Sequence, residues 1–105
     1  MLREAVAFDR PTRLNRPGGV TEMGWEPVYD CRAEFIYQRG SEAVEAARLQ
    51  GRGIYKVKIR QSLSAREITT DWRMRDTRRE LTFDLVEVDP ITDPRWIYIV
   101  AEVSR

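Results

Sequence analysis

Residues 95–103 read Arg95-Trp96-Ile97-Tyr98-Ile99-Val100-Ala101-Glu102-Val103. Trp96, Tyr98 and Val100 alternate with Ile97, Ile99, Ala101 and Val103, so an extended chain here turns apolar side chains to both faces. A strand that leaves neither face to water is central in its sheet or covered by another subunit. Asp89-Pro90 and Asp93-Pro94 bracket a turn just before it.

Upstream, Ile54 to Arg60 alternates cleanly, with Tyr55, Val57 and Ile59 on one side and Lys56, Lys58 and Arg60 on the other. This predicts a one-sided sheet strand whose three cations are either solvated or turned to an acidic or phosphate partner. Leu81, Phe83 and Leu85 share a face while Val86 and Val88 take the opposite one, which a bulge near Leu85-Val86 reconciles. From Trp25 to Gln38 the same period of two puts Tyr29, Cys31, Ala33, Phe35 and Tyr37 together. Ala5 to Phe8 forms a further short strand, expected to stop at Arg10-Pro11 because proline lacks the donor that a ladder needs.

Between these strands lie three other segments. Residues 10–24 hold Pro11, Asn15, Pro17, Gly18, Gly19 and Gly24, with Arg10, Arg13 and Arg16 and no acid until Glu22. They read as a positively charged loop, either a solvated turn region or a phosphate contact. Ser41 to Gln50 reads as a short helix, with a serine N-cap, acids in the first turn and an alanine-rich face, closed by Gly51 and Gly53. Residues 61–80 interleave arginines with acids, and Thr69-Thr70 suggests a strand leading into a charged turn. Together these elements predict a mainly β chain: a small antiparallel β-barrel or sandwich of five to seven strands with one short α-helix.

Composition narrows the chemistry. The 105 residues are enough for one hydrophobic core, expected as a single domain over residues 1–105. Charged residues make up 33%, with 18 Lys+Arg against 17 Asp+Glu and a formal net charge of +1, which argues against a strongly basic nucleic-acid binder. Histidine is absent, and Cys31 is the only cysteine, so a cysteine-built zinc site or an internal disulfide is excluded. Cys31 shares a face with Tyr29 and Ala33 and reads as a small buried hydrophobe suited to a reducing cytoplasm. The acids are scattered singly rather than paired for a metal, and no phosphate loop or nucleophile motif is present. No catalytic, cofactor or metal site is expected. No stretch approaches the roughly 20 apolar residues of a membrane span, and no signal peptide is read at the N-terminus.

The order of these features resembles that of the phage head-tail joining proteins, the head-closure or stopper (connector) proteins of long-tailed phages and gene transfer agents. Carrying the resemblance are Arg16-Pro17-Gly18-Gly19-Val20 before Trp25, Cys31-Arg32-Ala33-Glu34-Phe35, and Gly40-Ser41-Glu42. Tyr55-Lys56-Val57-Lys58-Ile59-Arg60 and Thr69-Thr70-Asp71-Trp72-Arg73 continue it. One departure is Arg78-Arg79-Glu80, where the family commonly places a glycine before its penultimate strand.

The resemblance implies a structural, non-enzymatic part of the virion neck, assembled in the bacterial cytoplasm. It would form a ring of identical subunits, a hexamer or dodecamer, between the portal-adaptor complex and the tail terminator protein, with double-stranded DNA passing through its lumen and no membrane partner. Residues 39–53 would reach into the channel and help to retain DNA, or would be an ordinary surface helix. Arg10, Arg13, Arg16, Arg48 and Arg52 are the candidate lumen-facing or partner-facing groups, and exposed Trp25 and Trp72 are candidate ring contacts. Arginine outnumbers lysine 16 to 2, which suits interfacial pairing and equally follows from a GC-rich genome. Two alternatives stand beside this reading: a small barrel binding single-stranded nucleic acid, and a tail-terminator or minor tail component.

Overall fold

A computed structural model describes residues 2–37 and 53–104, with side chains described at all of these but 16, 20 and 37. Its strands are β1 (Glu4–Arg16), β2 (Val20–Tyr37), β3 (Ile54–Arg60), β4 (Arg73–Asp76), β5 (Leu81–Asp89) and β6 (Trp96–Val103). They close into an antiparallel barrel in the order β1-β2-β3-β6-β5-β4. Of the barrel or sandwich expected from the alternating segments, the chain forms the barrel, with six strands. The helix expected over Ser41–Gln50, and all of the candidate gate but Gly53, lie outside the described residues.

Where the period of two selects one face, that face turns inward except at Leu81, which is 38% exposed; in β1, β4 and β6 the pattern chooses no face. Val6, Phe8, Ala33, Val57, Ile59, Met74, Phe83, Leu85, Ile97, Ile99 and Ala101 are buried, with Tyr29, Cys31, Phe35 and Tyr55 packed against them. Phe35, Tyr55 and Phe83 meet pairwise at ring-centroid distances of 5.9, 5.9 and 6.1 Å, two of the three contacts edge to face. Closure of the sheet removes the exposed edges that a six-stranded open sheet would carry. The bulge expected near Leu85-Val86 is present as a register shift between Leu85 and Glu87, which returns Val88 to the core side.

β6 lies between β3 and β5, so its doubly apolar sequence is that of a central strand. Its outer face is not bare. Lys58 and Arg60 of β3 stand over the Trp96 ring at 4.1 and 5.1 Å, and Lys56 over the Tyr98 ring at 4.7 Å. The three aligned cations are thus spent on aromatic faces within the sheet, and Lys58 also lies 3.7 Å from Glu34.

β3 and β4 are not neighbours in the barrel, so residues 61–72 must cross one of its ends. They do so as a lid with a 3-10 turn at Ala65–Glu67, burying Ala65, Ile68 and Trp72. Gln61 fastens the lid: its side-chain amide lies 2.7, 3.2 and 3.3 Å from the carbonyls of Pro90, Asp93 and Trp96. The strand expected at Thr69-Thr70 is corrected accordingly, since β4 begins only at Arg73. Trp72 is 5% exposed and belongs to the core rather than to an outer contact surface.

The turn at Arg78-Arg79-Glu80, where the resemblance would place a glycine, is held by a side chain. Asp76 accepts hydrogen bonds from the backbone N–H of Arg78 and of Arg79, at 3.0 and 3.1 Å, and Arg79 donates to its other oxygen at 2.7 Å. Glu80 then takes φ +58°, the left-handed conformation for which glycine is the ordinary choice.

Candidate functional site

The largest departure from the sequence reading is residues 10–24. They are not a loop: β1 runs on through Pro11 to Arg16, turns at Pro17-Gly18-Gly19 and returns as the first part of β2. Gly18 and Gly19 have φ of +89° and +80°, so this turn needs its glycines. Pro11 is tolerated because β4 pairs with β1 only from Val6 to Asp9, beyond which, among the described residues, β1 has β2 on one side and is an edge strand. Residues 10–16 and 20–28 make a two-stranded arm about 20 Å long at the usual rise per residue. No hydrophobic period announced it, because an exposed ribbon has no buried face to encode. The readable signal was the Pro-Gly-Gly turn between Leu14-Asn15 and the β-branched pair Val20-Thr21.

The arm joins the barrel at a bulge. Phe8 pairs with Tyr29 and Asp9 with Pro27, leaving Val28 as the extra residue on β2. At this root Asp9 is 1% exposed, and its carboxylate accepts hydrogen bonds from Arg73 Nε at 2.7 Å and from Arg75 Nε and Nη2 at 2.8 and 2.9 Å. Burial pushes the Asp9 carboxyl up, but Arg75 and Arg73 more than offset it and hold the group below its ordinary range. The Arg73 guanidinium also stacks on the Trp25 ring at 4.6 Å. Asp9, Arg73, Arg75 and Trp25 therefore form one clamp that fixes the arm to the barrel wall. Sequence reading missed Asp9 and Arg75, since the clamp joins residues 64 and 66 positions apart.

The predicted arginines divide by place. Arg10 is exposed on the arm and pairs with Glu26 at 3.1 Å, with both side chains about half exposed. Arg13 is exposed opposite Met23, and Arg16 ends β1 opposite Val20. Arg48 and Arg52 lie outside the described residues. Trp25 is 43% and Met23 68% exposed on the arm, as expected of Trp25.

Several other polar groups hold turns. Of the three carboxylates that line a recess of about 420 Å³, two are committed to turns: Asp89 accepts from the Ile91 and Thr92 N–H and the Thr92 hydroxyl, and Asp93 from the Arg95 N–H, while Glu87 is exposed. Among the described residues no group of three metal-ligating side chains is found, and no helix is long and apolar enough to cross a membrane. Cys31 is partly buried, and burial, with Asp30 beside it, pushes its thiol up to about 11. It stays a protonated thiol at neutral pH.

A closed barrel bearing a clamped, charged, partly apolar ribbon defines a small barrel-and-arm protein. The model of the phage head completion protein family matches residues 1–104, and the chain belongs to that family. Two solved structures share the fold. A chain in the virion of a native gene transfer agent particle matches with a TM-score of 0.64 at 16% identity, over 97% of this chain and 94% of that one. The solution structure of protein SF1141 from Shigella flexneri 2a matches with a TM-score of 0.73 at 14% identity, over 98% and 93%. No curated protein matches the sequence.

Proposed function

We propose that the chain is a structural, non-enzymatic component of the virion neck. It assembles as a ring, a hexamer or dodecamer, between the portal-adaptor complex and the tail terminator, joins head to tail and helps to retain packaged DNA. Membership of the head completion family supports a head-tail structural role, as does likeness to a chain of a gene transfer agent virion. The observation that carries the reading is the clamped arm. A ribbon clamped at its root and bearing Arg10, Arg13, Arg16 and exposed Trp25 and Met23 gives each subunit a projecting surface distinct from its barrel, and a ring needs two different complementary surfaces per subunit.

A single-stranded nucleic-acid barrel would need aromatic faces free for bases. Trp96, Tyr98 and Trp25 each have one face taken by a cation, so nothing in the barrel favours that reading. Removing the gene from a producing strain tests the proposal. DNA-filled heads and free tails should accumulate unjoined, and restoring the chain in trans should rejoin them. Normal tailed particles without the chain would reject it.

A further inference from the structure

The two strands of the arm carry opposite charge. Residues 10–16 contain Arg10, Arg13 and Arg16 and no acid, whereas residues 20–28 contain Glu22 and Glu26 and no lysine or arginine, with Asp30 continuing the acidic strand just past the root of the arm. Because these strands lie side by side in register, separation along the sequence becomes separation in space: one long edge of the ribbon is basic and the other acidic. Among the described residues neither edge has a strand beside it, since β4 reaches β1 only as far as Asp9 and β3 reaches β2 only from Glu34. Arg13, Glu22, Glu26 and Asp30 are all exposed.

A free ribbon edge is a template for indiscriminate strand pairing, which natural edges suppress with charge and proline. This arm carries a proline on each strand near its root, Pro11 and Pro27, and each removes a backbone donor. Charge is then left as the discriminating feature, and its pattern is self-complementary by translation: an acidic edge of one copy fits the basic edge of the next. Pairing within the ribbon, as between Arg10 and Glu26, does not oppose this, because an exposed ion pair is worth little.

We propose that the arm docks edge to edge on a second copy of this chain, the basic edge of one subunit against the acidic edge of its neighbour. The contact rests on the ring reading above and deepens it. It is heterologous, so each copy gives one edge and receives the other, and addition continues until the circle closes. Exposed Met23 and Trp25 supply apolar area beside the charged seam.

Two full-length variants test it. Arg10→Glu, Arg13→Glu and Arg16→Glu together make both edges acidic, while Glu22→Lys, Glu26→Lys and Asp30→Lys make both basic. In sedimentation velocity at low salt, each alone should remain monomeric. Their equimolar mixture should associate at least tenfold more tightly than either variant with itself, and raising the salt should dissolve the complex. Should a triple variant fail to fold by circular dichroism, the milder pair Arg13→Glu and Glu26→Lys is mixed in the same way, with the same expected order. A mixture that associates no better than its components overturns the edge contact. If particles nonetheless show rings of the wild-type chain, the neck reading stands and only this contact is lost. If particles show no ring, it is the neck reading that fails.

Discussion

Asp9 is the residue on which the arm turns. Its carboxylate is buried against two guanidiniums that are themselves 29% and 37% exposed, so water shares part of the interaction and its net value is modest. Asp9→Asn should cost about 1–2 kcal/mol in urea unfolding at neutral pH, since the two arginines lose a charged acceptor. The same group sets an acid limit. At Asp9 and Asp76 burial raises the carboxyl pKa, but arginine partners, joined at Asp76 by backbone N–H groups, bring the net value below the ordinary 3.8. Both carboxyls thus hold a proton less readily folded than unfolded. The stability they contribute is complete above the unfolded value and drains as pH falls through the lower folded values. Unfolding free energy should be nearly flat down to about pH 5 and fall below about pH 4, less steeply for Asp9→Asn. Glu80 offers the opposite sign. Replacing a side chain at φ +58° by glycine should raise stability by about 0.5–1 kcal/mol, read from the urea midpoint at unchanged slope.

At the scale of elements, barrel and arm should respond differently to substitution. Ile99 in β6 is fully buried, so Ile99→Ala should cost about 2–5 kcal/mol, whereas Met23→Ala on the arm should stay within about 0.5 kcal/mol in thermal or urea unfolding. That contrast also explains what could be read in advance. Tyr55, Val57 and Ile59 announced β3 because one face of that strand is buried, and Leu85-Val86 announced its bulge because a broken alternation has few other solutions. The arm was not legible, because Arg10 to Arg16 buries nothing that a pattern could record. The start of β4 was missed because β-propensity at Thr69-Thr70 yields to a lid anchored by Ile68 and Trp72. Of the candidate site, the arginines and Trp25 were visible as residue types. The Asp9 clamp was not, since only closure of the barrel brings β1 beside β4.

At the scale of the molecule, the described residues divide the work. The closed barrel hides its own sheet edges and encloses the core, and the arm extends a two-stranded ribbon beyond it. The projecting ribbon adds exposed Arg13, Met23 and Trp25 to the surface that the finished wall offers. Electron cryo-microscopy of tailed particles that contain this chain gives the decisive view. The account predicts a closed circle of these barrels at the portal vertex, between head and tail, with the residue 10–28 arms bridging adjacent subunits. Particles whose neck lacks that density, or that join heads to tails equally well without the chain, would contradict it.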